Sequence, residues 1–163
     1  MNNVRMAVGA LSLSALAFVG ILSREGYTDQ VIIPTKGDVP TIGFGTTGGV
    51  KRGDRTTPVK AAQRALLDVG KFEGAIKSCI RMPLSQAEYD VYTDLTYNIG
   101  PHAFCNSTMA RKINSGDYAE ACAAILMYKY AAGFDCSTPG NRRCAGLWED
   151  RKKSHAKCMG AQS

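Results

Sequence analysis

No cysteine occurs between Met1 and Ser78, no C-x-x-C pair occurs anywhere, and His102 and His155 are the only histidines. Zinc sites are built from closely spaced Cys and His ligands, so this distribution argues against a metal. No organic cofactor is expected either. The Lys and Arg residues are scattered, and no zinc-finger, RNP or helix-turn-helix pattern accompanies them, so nucleic acid is not the expected partner. There is no internal repeat and no low-complexity tract. Long apolar runs are also lacking: the longest uncharged one, Met6 to Leu22, has 17 residues. As a helix it would measure roughly 25 Å, the lower limit for crossing a hydrocarbon core of about 30 Å.

What is present describes one water-soluble domain. With 163 residues, 45% hydrophobic and 21% charged, the chain can bury a core and resembles neither a disordered nor a polytopic membrane protein. A net charge of +6 favours polyanions, whether nucleic acid, anionic lipid or the carboxylate-bearing glycan of a bacterial wall.

The N-terminal run is preceded by Arg5 and followed at once by Ser23, Arg24 and Glu25, and it reads as an export signal. Three fates stay open. Eight of its 17 residues are Ala, Gly or Ser, which suits a segment able to leave the bilayer. Ala15-Leu16-Ala17 resembles a small-x-small cleavage site. A permanent anchor is the third reading. Cys79, Cys105, Cys122, Cys136, Cys144 and Cys158, even in number in a small exported chain, are expected to form three disulfides whose pairing stays open. Buried thiols in a cytosolic protein are the alternative.

From Glu25 to Arg55 the chain is rich in Gly, Pro and Thr, which suits short strands. Thr57 and Pro58 open a long helix with Val59, Ala62, Leu66, Val69, Phe72, Ile76 and Ile80 as its apolar positions. Ser85 and Glu88 form a capping box, with Leu84 and Tyr89 placed as a hydrophobic staple, for a helix that ends at Gly100-Pro101. Further helices are expected after Ser107, after Asp117 with Glu120 three residues on, and from about Leu147 to Met159. The loop from Ala132 to Cys144 holds two cysteines able to pin it.

Glu25-Gly26-Tyr27, followed by Thr41-Ile42-Gly43-Phe44-Gly45-Thr46 sixteen residues after the Glu, is similar to the active-site signature of the phage-type lysozymes, glycoside hydrolases of tailed phages. The resemblance continues through Leu84-Ser85-Gln86, Tyr97-Asn98-Ile99-Gly100, Phe104 to Ser107, Lys112 to Asp117 and Gly146-Leu147-Trp148, covering almost everything after Arg24. Each piece alone is weak, and together in this order they are specific.

The resemblance implies an α+β, lysozyme-like fold: an N-terminal hydrophobic helix, a small β lobe and a mainly helical lobe with a cleft between them. Residues 1–24 would be a signal-anchor-release segment and 25–163 the lysozyme domain, with the β lobe at 25–56 and the helical lobe at 57–163. Glu25 would be the general acid. That role needs a carboxyl still protonated near neutral pH, which partial burial favours and a nearby cation opposes, so Glu25 is expected half-buried at a helix end. The family's second carboxylate falls six positions before the Thr, here Thr35; counting from Glu25 reaches Pro34. Neither is acidic, leaving Asp38, three residues before Thr41, as the preferred substitute and Asp29 as the alternative. Asp38 after Gly37 also suits a plain turn. Thr41 would hold the attacking water opposite Glu25, as inverting hydrolysis requires. Gly43 and Gly45 would let the backbone approach the glycan, or simply form a tight bend. Tyr89, Tyr92, Tyr97 and Trp148 are read as core.

The activity so implied is hydrolysis of the β-1,4 bond between N-acetylmuramic acid and N-acetylglucosamine in peptidoglycan strands, for host lysis. The implied location is the host inner membrane facing the periplasm, tethered and inactive, and then the soluble periplasm. Release would depend functionally on a holin without direct binding to it. Relatives that switch through a thiol in the anchor have no counterpart here, since Cys79 is the first cysteine. Two rivals remain: a lytic transglycosylase, which needs the acid but no activated water, and a non-catalytic wall-binding protein on the same fold.

Overall fold

The structure is a computed structural model that describes residues 4–34 and 37–162. Two compact units divide the chain. One runs from Leu13 to Gly74; the other combines the residues up to Ser12 with those from Ala75 onward.

In the first unit, Ser14 accepts a hydrogen bond from the Ala17 N–H at 3.2 Å and so caps α1, Ala15–Glu25. The helix stops where Gly26 takes a positive φ of 71°. Strands β1 (Thr28–Ile32) and β2 (Thr41–Gly43) then pair antiparallel, with Thr28 opposite Gly43 and Ile32 opposite Thr41. The register shifts between those pairs, a bulge on the β1 side. Thr57 leads into α2, Pro58–Cys79, its carbonyl accepting from the Ala61 N–H at 2.8 Å.

The inward face of α2 differs in part from the one expected. Val69 and Ile76 are buried as expected, but Val59 and Leu66 are exposed and Ala61 and Ala65 are buried in their stead. At Ala61 the reason lies in β2, whose Gly43 backbone presses directly on it and leaves room only for a small side chain there.

The second unit holds α3 (Gln86–Ile99), α4 (Pro101–Cys105), α5 (Thr108–Asn114), α6 (Tyr118–Ala123), the short hairpin β3 (Tyr130–Ala131) with β4 (Phe134–Asp135), and α7 (Ala145–Gly160). The capping box of α3 is complete: Ser85 Oγ accepts from the Glu88 N–H, and Glu88 Oε2 accepts from the Ser85 N–H at 2.7 Å. Leu84 and Tyr89 are both fully buried. Asp117 does not cap α6 with its side chain; it pairs instead with Lys112 at 3.2 Å. Tyr92 is buried as expected, but Tyr97 and Trp148 are only half-buried. Three disulfides form, Cys79–Cys105, Cys122–Cys158 and Cys136–Cys144, and the last closes the loop after β4.

The expected helix from Met6 to Leu22 is not continuous. Val8–Ala10 is a 3-10 turn, an irregular stretch follows, and regular helix begins only at Ala15. Backbone polar groups need partners, and those of this stretch find them on the fold. Met6 N–H and C=O pair with Leu84 at 2.8 and 2.9 Å, and the Leu13 N–H donates to Glu73 Oε1 at 2.8 Å. Val8 and Leu11 join the core of the second unit. Among the described residues, no helix is long and apolar enough to cross a membrane.

Candidate active site

Glu25 is the last residue of α1, where Gly26 turns the chain into β1. The helix end was foreseen; the expected partial burial was not found, for Glu25 is exposed. The pairing of Thr28 with Gly43 brings the stretch after Glu25 beside the Thr41 to Thr46 segment. Tyr27 and Phe44 reinforce it, their ring centroids 5.4 Å apart, and the Tyr27 hydroxyl donates to the Thr56 carbonyl at 3.2 Å.

Thr41 is half-buried, and its Oγ1 donates to the Val39 carbonyl at 3.0 Å. Asp38 is exposed, and its Oδ1 accepts from the Val39 N–H at 2.9 Å. Val39 thereby links Asp38 to Thr41 in one turn. Asp29 lies on β1 with its side chain exposed and its carbonyl accepting from the Thr56 N–H at 3.0 Å. Pro34 is exposed, and Thr35 lies outside the described residues.

Ile42 and Thr46 exchange two backbone hydrogen bonds, at 3.0 and 3.1 Å, around Gly43-Phe44-Gly45. Gly43 and Gly45 both have positive φ, 67° and 82°, so the tight bend is real. Thr46 is buried, and its hydroxyl ties this hairpin to α2 by donating to Asp68 Oδ2 at 3.0 Å.

Arg52 and Arg55 were not singled out from the sequence. With Gln30, Val31, Ile33, Pro40, Gly53 and Asp54 they line a concave pocket of about 650 Å³ in the same unit. The Asp54 carboxylate accepts from the Lys51 N–H at 2.8 Å, which closes the turn carrying the two arginines. The visible signal was the Lys51-Arg52-Gly53-Asp54-Arg55 cluster, which without a fold could not be placed near Thr41. No group of His, Cys, Asp and Glu suited to holding a metal occurs among the described residues.

The family profile described as phage lysozyme matches residues 22–154, a span that holds Glu25, Asp29, Asp38, Thr41, Gly43, Gly45 and five of the six cysteines. The chain belongs to the phage lysozyme family. It is 33% identical to the endolysin of Salmonella phage P22 over 144 residues, covering 85% of this chain and 98% of that one. It is 36% identical over 114 residues to the SAR-endolysin of Pseudomonas phage phiKMV, covering 70% of each. Among solved structures, a P22 lysozyme mutant superposes with a TM-score of 0.76 at 30% identity, covering 91% of this chain and 99% of that one. The lysozyme-like α+β fold is therefore established.

Proposed function

We propose that the chain is an inverting N-acetylmuramidase that cuts the β-1,4 bond between N-acetylmuramic acid and N-acetylglucosamine in peptidoglycan during host lysis. Glu25 gives its proton to the glycosidic oxygen, and water adds to the anomeric carbon from the opposite face. The observation that carries the reading is the hydrogen bond from Thr41 Oγ1 to the Val39 carbonyl. It uses the hydroxyl hydrogen and leaves the oxygen lone pairs to accept from a water. Asp38, held one residue away from that carbonyl, is the carboxylate that takes the water's proton. Gly43 and Gly45 expose backbone to the glycan. The guanidiniums of Arg52 and Arg55 attract its acidic stem peptides.

Residues 1–24 act as a signal-anchor-release segment that holds the enzyme on the periplasmic face of the host inner membrane until a holin, without binding the enzyme, collapses the membrane potential. The 17-residue uncharged run and the SAR-endolysin name of the phiKMV relative support this reading.

Mass spectrometry of digested peptidoglycan, with proton NMR of the fresh products for anomeric configuration, tests the chemistry. Reducing ends of inverted configuration are expected from the wild type, none from Glu25→Gln, and far fewer from Thr41→Ala and Asp38→Asn, with Asp29→Asn near normal. Anhydro-muramic ends would replace this reading with transglycosylation. Full turbidity clearing by Glu25→Gln would remove Glu25 from the chemistry.

A further inference from the structure

Asn98 is exposed near the end of α3, and a buried cation orients its side chain. Arg151 of α7 donates from Nη2 to Asn98 Oδ1 at 2.7 Å and from Nε to the Tyr128 carbonyl at 3.0 Å. A guanidinium can only donate, so the amide oxygen must face it and the amide nitrogen must face away. The two hydrogens on Asn98 Nδ2 are thereby left for a ligand.

Beside that amide, within the second unit, lies a pocket of about 250 Å³ to which Ile99, Met127, Tyr130 and Leu147 give apolar surface. Met127 and Tyr130 are 59% and 63% exposed. Tyr130 belongs to a hairpin held more firmly than a plain surface turn requires. The Cys136 N–H donates to the Lys129 carbonyl at 2.9 Å, Lys129 pairs with Asp135 at 2.8 Å, and the Cys136–Cys144 bridge starts directly after β4. Ala132, at the bend, takes a φ of 46°, which residues other than glycine seldom adopt. Pinning an exposed ring in this way removes much of the entropy cost of ordering it on binding. The register sorts the two aromatic residues of the hairpin. Tyr130 lies opposite Asp135 and Phe134 opposite Ala131, so the two rings belong to opposite faces, and it is Tyr130 that lines the pocket.

We infer that Asn98 is a specificity-determining residue for the glycan, its NH2 group donating to the acetamido carbonyl of one N-acetylated sugar. Met127, Ile99 and Leu147 receive the acetamido methyl, and the Tyr130 ring takes the apolar face of the pyranose. A fixed polar group discriminates more sharply than apolar lining, because a sugar without the carbonyl covers the amide and leaves it unpaired. The inference rests on the reading of the substrate as wall glycan, and it adds which substituent is read and by which residue.

The test uses the full-length protein with chitotriose, a peptide-free trimer of N-acetylglucosamine, and with cellotriose, which carries hydroxyls in place of the acetamido groups. In proton–nitrogen NMR, chitotriose is expected to shift the Asn98 side-chain amide and the backbone amides of Met127 and Tyr130, and cellotriose to bind about tenfold more weakly. Asn98→Asp keeps an oxygen for Arg151 but has no hydrogens to give. It is expected to resist urea as well as the wild type, to bind chitotriose on the order of tenfold more weakly, and to raise KM on wall with kcat little changed. Tyr130→Ala is expected to weaken the same binding several-fold, and Tyr130→Phe, which keeps the ring, to bind as the wild type does. Shifts confined to residues outside this pocket, equal affinity for the two trimers, or unchanged affinity in Asn98→Asp or in Tyr130→Ala would each overturn the inference. The muramidase reading fails separately. A chain that binds chitotriose here but releases no reducing ends from wall would lose the activity and keep the site.

Discussion

Gly43 and Ala61 meet so closely that a Cβ built on Gly43 would lie 2.8 Å from the Ala61 Cβ. The hairpin of the signature motif is thus seated on α2 by the absence of a side chain, and its second reason for glycine is a φ of +67°. Gly43→Ala should lose about 1–3 kcal/mol of stability, from the overlap and the backbone strain together. Urea unfolding measures it. Ala61→Gly in the same chain should restore only the overlap part, because the backbone strain stays.

Arg52 and Arg55 flank the pocket beside Pro40. Replacing both with Gln should weaken cutting of intact wall, whose stem peptides carry carboxylates, about tenfold through KM, as expected for lost charge-assisted contacts. Peptide-free glycan should be cut as before. Equal losses on both substrates would show that the arginines do not read the peptide.

Gly9 has nothing within 4 Å of an added Cβ, and Gly20 meets only the flexible end of Arg24, at 3.8 Å. Gly9→Leu with Gly20→Leu should therefore leave the folded state near wild type while making the segment more apolar by about 1 kcal/mol or more in transfer. Delayed lysis with a normal melting temperature is the expected pair of results.

The disulfides close loops of unequal length, with sequence separations of 26, 36 and 8. Loop-closure entropy ranks their contributions, about 4 kcal/mol for the longest and about 2.5 kcal/mol for the shortest. Unfolding of the three paired Cys→Ala variants should follow that order, with the fully buried Cys122–Cys158 pair the most costly.

Asp135 sits between Lys129 and Ser137, and the hydrogen bond from Lys129, helped by those from the Ser137 hydroxyl and N–H, pushes its carboxyl down to about 2. A carboxyl lowered on folding stabilises fully above its unfolded value near 4 and loses that contribution as the pH falls toward its folded value. Melting temperatures taken between pH 5 and pH 2 should therefore fall less steeply for Asp135→Asn than for the wild type.

Local rules were the legible part of this fold. Ser85 and Glu88 announce α3 because a capping box is complete within four residues, and Leu84 and Tyr89 follow from the same spacing. That Glu88 also receives Arg5 was invisible, since a lone arginine ahead of an apolar run reads as an export flank and its partner lies 83 positions away. The α2 face was misread in its first turns for a related reason: spacing alone favoured Val59 and Leu66, whereas Ala61, which meets Gly43, and Ala65 are the buried positions. The cysteines announced bridging but not pairing, which only the packing of the helices determines. At the site, the Glu25 helix end followed from the motif, while its exposure and the Asp38–Val39–Thr41 turn depend on backbone placement that residue spacing does not carry.

Glu88, buried against Arg5, contributes its own dependence on pH. Its own burial works to raise the Glu88 carboxyl, but hydrogen bonds from Arg5, the Ser85 N–H and Gln162 hold it below its ordinary value. Acid must overcome all three before Glu88 takes up a proton and its contribution to stability is lost.

The Cys136–Cys144 clip has a consequence outside stability. Arg142 and Arg143 are exposed inside the ring it closes. A trypsin-like protease that nicks the chain after either one leaves two fragments joined by this clip and by Cys122–Cys158, which spans the same cut. Such a nicked enzyme would migrate as a single band until a reductant separates it, so a host protease could scar the molecule without dismantling it.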